Sequence, residues 1–515
     1  MIRKLAPEGD VAMLRLDTAR IGARGYQTGS EMIEAALEEG ARAILLDMAM
    51  ASTLRASDIA LLVELAAQAL PMARLSLVNV NPVLISALRD RSVDQIISVY
   101  ATLERALDAP HVKSGLLANT PAVVLSAGKG SRMAPMTQVA PKPMFEIMGK
   151  PILEHILCHL RGFGIRNVVL NPGHLGPQIP EHFGSGRKTR QSLFYINEGK
   201  RRNGRWVANP VGSASTLARW AQDHNGFSTD TIVMCGDALV DVDLPAMMAC
   251  HRESEADVTI AAQRVPEDQV HKYGVMVADG GGKIIQFQEK PSRSEALSTL
   301  ANTGIYILSP KIIAHLSERD GADIACHLLP AVLASGGRLQ VFEKPFQWID
   351  VGCGRDYMAA WKTALSGKIR SLTCNAEQLK PEVWVEPGAI IGHPSDIEGP
   401  AYISAGARIE GGATLRGPVV VGANSIVENG AFLRNSILCK DTCAMKGAIV
   451  DGTIASGRWA IAHAYADGSE QPWDPLPYVG DVSGHRDGVV GSRIVALDDK
   501  VTRNPLAAPT LARAS

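Results

Sequence analysis

From residue 385 the chain places an aliphatic side chain at every sixth position: Val385, Ile391, Ile397, Ile403, Ile409, Leu415, Val421, Val427 and Leu433. Helices repeat at about 3.6 residues and strands at about 2, so this period is neither. Small residues recur in between, among them Gly388, Gly406, Gly412, Ala423 and Gly430. The pattern predicts a hexapeptide repeat, in which three-faced parallel β-coils stack and each face turns one aliphatic inward. After Leu433 the count restarts at Ile437, Cys443 and Ile449. The repeat defines a C-terminal domain over 366–480.

The first 107 residues alternate differently. Strand-like runs at 11–16, 43–46 and 75–80 separate helical spacings at 31–39, 56–70 and 82–89. A run at 95–98 and a helix at 101–107 close what reads as a small α/β layer unit, 1–107. Residues 108–120 carry Pro, His, Lys, Ser and Gly and read as a linker. The α/β rhythm then resumes over 121–365. An apolar strand at 122–125 precedes a helix whose Ile152, Leu153, Ile156, Leu157 and Leu160 share one face, with Gly164 as its stop. Strands follow at 168–170 and 232–235. This predicts a mostly parallel sheet with ligands at the carboxyl ends of its strands. Residues 481–515 are polar and rich in Arg and Ala, and read as a weakly ordered tail.

Composition narrows the classes. A chain of 515 residues with 46% hydrophobic side chains and a net charge of −1 is a globular chain of several domains. The balance speaks against nucleic acid or an anionic membrane as partner. No run has the length of a membrane span, and the cations of MIRKLAPEGD precede no apolar core, so the expectation is cytoplasmic. The eight cysteines are scattered, and the Cys439/Cys443 pair has no second pair to complete a zinc site, so they read as free thiols.

The densest chemistry lies between Pro121 and His155. The strand runs into a loop with Gly128, Lys129, Gly130, Ser131 and Arg132, and Lys142 follows between Pro141 and Pro143. Glycines let backbone N–H groups approach a phosphate and cations neutralise it, so the loop reads as a polyphosphate site. Met133 stands where a dinucleotide fingerprint needs its third glycine, and GxxxxGK[ST] is absent. Gly128, Gly130, Arg132, Pro135, Thr137, Pro141, Lys142, Pro143, Gly149, Lys150 and Pro151 instead fit GxGxR(M/L)xPxTxxxPKPxxxxxGKP. The stretch resembles the sugar-phosphate nucleotidyltransferases.

That resemblance implies a Rossmann-like nucleotidyltransferase core and a set of roles. Ala127, Gly128, Gly130, Ser131 and Gly212 would hold the nucleotide, and Arg132, Lys142 and Asp237 would be catalytic. Asp237 and Asp350 would hold Mg²⁺. Gly274, Glu289, Lys290 and Asn302 would hold the sugar phosphate. Asp241 and Asp243 read as turn and helix-cap residues. Cys353-Gly354 departs from the family, where Thr or Gln and Pro are commoner, and bears on the loop beside Asp350. The substrates would be a nucleoside triphosphate and a sugar 1-phosphate, whose attacking oxygen is already ionised. No general base is needed, consistent with the lack of a Ser–His–Asp or Cys–His constellation. The PKP loop and repeat tail look most like mannose-1-phosphate guanylyltransferases, with glucose-1-phosphate uridylyl- or thymidylyltransferases as the alternative.

The flanking units carry their own resemblances. Residues 1–107 resemble a STAS domain, with Ala56 at the usual phosphoacceptor position and Ser57 beside it, which reads as a docking module for a protein partner. The repeats resemble a left-handed β-helix that serves homo-oligomer assembly. Rival readings are a regulatory scaffold with an idle centre, or a second acyltransferase activity using His393 or His463.

Overall fold

The structure is a computed structural model that describes residues 2–5, 9–15, 22–134, 136–317, 319–369, 371–372, 374–457, 459–462, 474–475 and 479–481. Pro135, His463 and, apart from Asp481, the tail expected over 481–515 lie outside the described residues.

The N-terminal unit is a five-stranded sheet in the order Ile2–Lys4, Val11–Arg15, Ala43–Asp47, Arg74–Val78, Ser98–Val99. Only the first pair is antiparallel. Alternation along the strands gives the sheet two apolar faces. Ala12, Leu14, Ile44, Leu46, Leu75 and Leu77 pack on Ile33, Leu62, Leu65 and Leu84 of the three helices Gly22–Glu38, Ala56–Ala69 and Pro82–Arg89. Val11, Ala43, Leu45 and Val78 face the other way and join the core of the central domain. Residues 108–120 lie between. They carry the helix Pro110–Lys113 and bury Val112, Leu116 and Leu117. The Asp10 N–H donates to the Gly115 carbonyl at 2.7 Å, and the Leu117 N–H to the Phe163 carbonyl at 3.0 Å.

The central sheet runs Ser192–Tyr195, Asn167–Leu170, Ala122–Leu125, Thr231–Cys235, Leu300–Leu308, Val258–Arg264, Leu339–Phe342. These strands are parallel except Leu300–Leu308, which is antiparallel to both neighbours, and an antiparallel hairpin, Gly274–Ala278 with Ile284–Glu289, joins the same sheet at Leu300–Leu308. The helix Ile152–Gly162 buries Ile152, Leu153, Ile156, Leu157 and Leu160, and Gly164 follows it at φ +92°. This helix also buries His159, whose Nε2–H donates to the Val242 carbonyl at 2.9 Å and whose ring meets Phe163 edge-on. Burial holds its pKa down to about 4. The unfolded chain takes this proton near pH 6.5 and the native chain only near 4. Stability is therefore full above about pH 6.5 and falls by about 3 kcal/mol as the pH drops toward 4. Urea midpoints at pH 7 and pH 4.5 should show a smaller acid loss for His159→Gln than for the parent; equal losses would rule out His159 as a source.

The C-terminal repeats form three parallel ladders. Val385, Ile403 and Val421 are in register on one face, Ile391, Ile409 and Val427 on the second, and Ile397, Leu415 and Leu433 on the third. Each ladder step is one coil of the chain. The expected restart at Ile437, Cys443 and Ile449 is corrected by one residue. Val421 pairs with Leu438, Val427 with Ala444 and Leu433 with Val450. A register shift past Arg416 shortens the next coil, and a one-residue slip turns each side chain to the opposite face. Ile437 consequently points outward. With Tyr402, Val420 and Ile454 it makes a second apolar ladder that packs on Phe145, Met148, Tyr357 and Trp361 of the central domain.

Candidate active site

Three strand ends build the site. The strand Ala122–Leu125 opens into the glycine loop, and Thr231–Cys235 ends at Gly236-Asp237, where the Gly236 N–H donates to the Leu125 carbonyl at 2.7 Å. The short strand Trp348–Asp350 pairs with Ala238–Val240 and sets Asp350 opposite Ala238. The two carboxylates thus arrive from two separate strand ends of the same domain. Lys142 starts a tight turn between two prolines and is only 8% exposed. Its Nζ lies 2.6 Å from Asp237 Oδ2 and 4.0 Å from Asp350 Oδ1. Gly130, at φ +61°, clears the way: a Cβ there would lie 3.3 Å from Lys142 Cδ. At Gly352 a Cβ would lie 3.5 Å from Arg132 Nη2, 3.4 Å from Asp350 Oδ2 and 3.0 Å from Asp356 Oδ2, so these three side chains converge on one stretch of backbone.

Electrostatics follow from this crowding. Burial, then the Asp237 charge, pushes Asp350 up to about 6, against the pull of Lys142. Burial works against the Lys142 charge, yet Asp237 and Asp350 outweigh it and raise the pKa. The pair of hard oxygen donors fits a divalent cation that takes its other ligands from water and phosphate, as Mg²⁺ does. Among the described residues no group of three or more His, Cys, Asp or Glu side chains could hold a metal without such outside ligands.

A cavity of about 470 Å³ opens beside this cluster. Ala127, Gly128 and Gly212 line it together with Gly274, Glu289, Lys290 and Asn302, and Arg132, Lys142, Asp237 and Asp350 are also on its wall. Gly130 and Ser131 are off the wall; Ser131 is exposed at the start of a short turn that buries Met133. Gly212 precedes the helix Ser213–His224 at φ +99°, with the Ala322 carbonyl where a Cβ would go. Glu289 pairs with Gly274 across the hairpin, and Lys290 Nζ lies 3.4 Å from Glu289 Oε1. Asn302 donates to the Tyr306 hydroxyl at 2.8 Å and accepts from the Gly304 N–H at 3.0 Å. Asp241 accepts from the Gln347 N–H and Asp243 caps its helix through the Ala246 N–H, the turn and cap roles expected of them. Cys353 immediately precedes the helix Gly354–Leu365 and donates to Asp356 Oδ2 at 3.1 Å, so the departure at Cys353-Gly354 leaves Asp350 facing Lys142.

A buried brace that no sequence pattern marks is set into the cavity wall. Asn171 accepts from the Ser126 N–H and donates to Glu198 at 2.8 Å. Glu198 also accepts from the Val211 N–H at 3.0 Å and from the Thr216 hydroxyl. It ties the glycine loop to the Gly212 turn. Asp323 holds the far side of that turn, accepting from Ser213 Oγ at 2.7 Å and from the Ala325 N–H at 2.8 Å.

Residues 121–367 match the Nucleotidyl transferase family. A UTP–glucose-1-phosphate uridylyltransferase of Synechocystis sp. is 38% identical over 284 residues, 55% of this chain and 73% of that protein. The chain belongs to the nucleotidyl transferase family. It is a sugar-phosphate nucleotidyltransferase. A mannose-1-phosphate guanylyltransferase of Mycobacterium tuberculosis is 28% identical to this nucleotidyltransferase over 276 residues, 52% of this chain and 72% of that one. A solved UDP-glucose pyrophosphorylase with UDP-glucose covers 48% of this chain and 99% of its own, at 21% identity and a TM-score of 0.42. Among the described residues no helix is long and apolar enough to cross a membrane.

Proposed function

We propose that this nucleotidyltransferase joins UTP to glucose 1-phosphate, giving UDP-glucose and pyrophosphate. The observation that carries the reaction class is the meeting of Arg132, Lys142, Asp237 and Asp350 at the wall of one cavity whose rim also holds Glu289, Lys290 and Asn302. The substrate pair is ranked on the 38% identity to the Synechocystis enzyme. GTP with mannose 1-phosphate, the pair expected from the PKP loop, is the second reading, supported by the 28% identical Mycobacterium enzyme.

In the reaction a phosphate oxygen of the sugar 1-phosphate bonds to the α-phosphorus, the bond from α-phosphorus to the bridging oxygen breaks, and pyrophosphate leaves with that electron pair. No proton has to move. The obstacle is repulsion between anions, and fixed cations remove it. Lys142 sits at the α-phosphate, Arg132 at the departing pyrophosphate and Lys290 at the sugar phosphate. Ala127, Gly128, Gly130, Ser131 and Gly212 present backbone to the nucleotide. Gly274, Glu289 and Asn302 offer donors and acceptors to sugar hydroxyls. Mg²⁺, held by Asp237 and Asp350, supplies positive charge at the phosphates when bound.

The same reading extends outward. The N-terminal sheet is a STAS-like docking unit for a protein partner, supported by its parallel strands and apolar helices. The stacked coils are a left-handed β-helix that assembles a cytoplasmic homo-oligomer. The deciding experiment is pyrophosphate release over a grid of UTP, GTP, dTTP and ATP against glucose and mannose 1-phosphates, with and without Mg²⁺. Fastest turnover with UTP and glucose 1-phosphate, lost on chelation and with Asp237→Asn, is the expected result. Preference for GTP and mannose 1-phosphate would move the reading to the second pair, and silence across the grid from folded protein would end it.

A further inference from the structure

Between Glu198 and Pro210, both on the cavity wall, the chain leaves the central sheet and forms a separate two-stranded hairpin. Its strands Gly199–Arg202 and Arg205–Ala208 pair antiparallel around Asn203 and Gly204, which take φ +50° and +76°. The hairpin carries Lys200, Arg201, Arg202 and Arg205 and no acid, and no acidic residue follows until Asp223. All four cations are exposed. Among the described residues none of them has an ion-pair partner; Arg201 donates only to the Gly204 carbonyl within its own turn. A chain of net charge −1 thus sets four uncompensated positive charges on ten residues.

The arm is firmly mounted. The Trp206 indole N–H donates to the Gly173 carbonyl at 2.7 Å, and its ring lies so close to Gly176 and Gly199 that neither could carry a Cβ. Gly173 in turn rests on Ala127, and the His174 N–H donates to the Ala127 carbonyl at 3.2 Å. At the base, the Asn209 N–H donates to the Glu198 carbonyl at 2.8 Å, and the Glu198 side chain holds the Val211 N–H. Each anchor therefore ends on the glycine loop or on the Gly212 turn. Strand alternation puts Arg201 on the face of Trp206, toward that loop, and Lys200, Arg202 and Arg205 on the other face.

We propose that this hairpin is a cationic arm that captures the triphosphate of the incoming nucleotide, an inference that rests on the nucleotidyltransferase reading above. A rigid cluster of like charge beside a cleft raises the local concentration of a polyanion and its rate of entry, and salt screens the effect. The more phosphates the ligand bears, the more the arm contributes. A structural role for the hairpin would make no such distinction.

The test uses the full chain and a variant with Lys200→Gln, Arg201→Gln, Arg202→Gln and Arg205→Gln. A second variant spares Arg201 and its turn contact, in case the first fails to fold. Calorimetry measures binding of UTP and UMP at low and high salt, and steady-state assays measure kcat and the KM of each substrate. The expected result is a Kd for UTP weaker by roughly tenfold at low salt. That loss should fade at high salt, with UMP affinity, kcat and the sugar-phosphate KM within about twofold of the parent. UTP affinity unchanged in a folded variant, or UMP weakened as much as UTP, overturns the arm. Because affinities are read without turnover, an inactive parent would sink the catalytic reading while these ratios still decide the arm.

Discussion

Lys142→Ala is expected to cut pyrophosphate release by about a hundred- to a thousandfold, the cost of about 3–4 kcal/mol that follows removal of one preorganised charge from a transition state. The ammonium is 2.6 Å from Asp237 and 4.0 Å from Asp350 and almost wholly removed from water. Its field is therefore weakly screened, and no mobile ion restores it in the same place. Truncation also leaves the two carboxylates facing each other. Asp350 already sits up at about 6 with Lys142 pulling it down. Without that pull it rises further, so the acid limb of the rate profile should move to higher pH in Lys142→Ala. Lys142→Arg keeps the charge but forces a planar fork into a slot shaped for a point charge, and should fall between the two. Circular dichroism and Tm separate lost chemistry from lost fold. A folded alanine variant within threefold of the parent would remove Lys142 from the reaction.

What the sequence carries and what it hides divide along one line. Arg132 and Lys142 were legible because the glycine loop and its prolines are contiguous, and each residue type answers a local backbone need. Asp237 and Asp350 were legible locally as strand-end carboxylates, but as a pair only through the resemblance; their meeting depends on the pairing of Ala238 with Asp350, which no local pattern encodes. Glu198 left no local trace, since its partners Asn171, Val211 and Thr216 come from three separate elements. The aliphatic repeat announced stacked coils, yet the slip after Leu433 was invisible. Ile437 and Leu438, Cys443 and Ala444, Ile449 and Val450 are adjacent apolar pairs, and either member could fill the interior. Residues 108–120 looked like a linker because composition weighs Pro, Ser and Gly equally with Val112, Leu116 and Leu117. Only packing shows that those three apolar side chains wedge between two sheets.

Tyr402→Ala is expected to cost about 3–5 kcal/mol of stability, the range for truncating a large aromatic in a core. Tyr402 is among the largest fully buried side chains, although it points out of its coil. Its ring packs on Trp361 at 5.3 Å between centroids, and its hydroxyl donates to Glu386 Oε1 at 2.7 Å. Burial, reinforced by Glu386, holds the phenol pKa above its usual value, so the hydroxyl stays a neutral donor. Glu386 Oε2 accepts from the Ala405 N–H at 2.6 Å, and the Gly149 turn of the glycine-loop signature lies directly against this pair. Truncation therefore opens a cavity and takes from Glu386 Oε1 its donor where the coils meet the catalytic domain, leaving only the Ala405 N–H on Oε2. The parent should melt with catalytic domain and coils coupled, and Tyr402→Ala should lower the midpoint and separate the two transitions in calorimetry. Tyr402→Phe removes only the donor and should cost about 1–2 kcal/mol. An alanine variant that melts in one transition at the parental midpoint would mean that the coils do not brace the signature turn in solution.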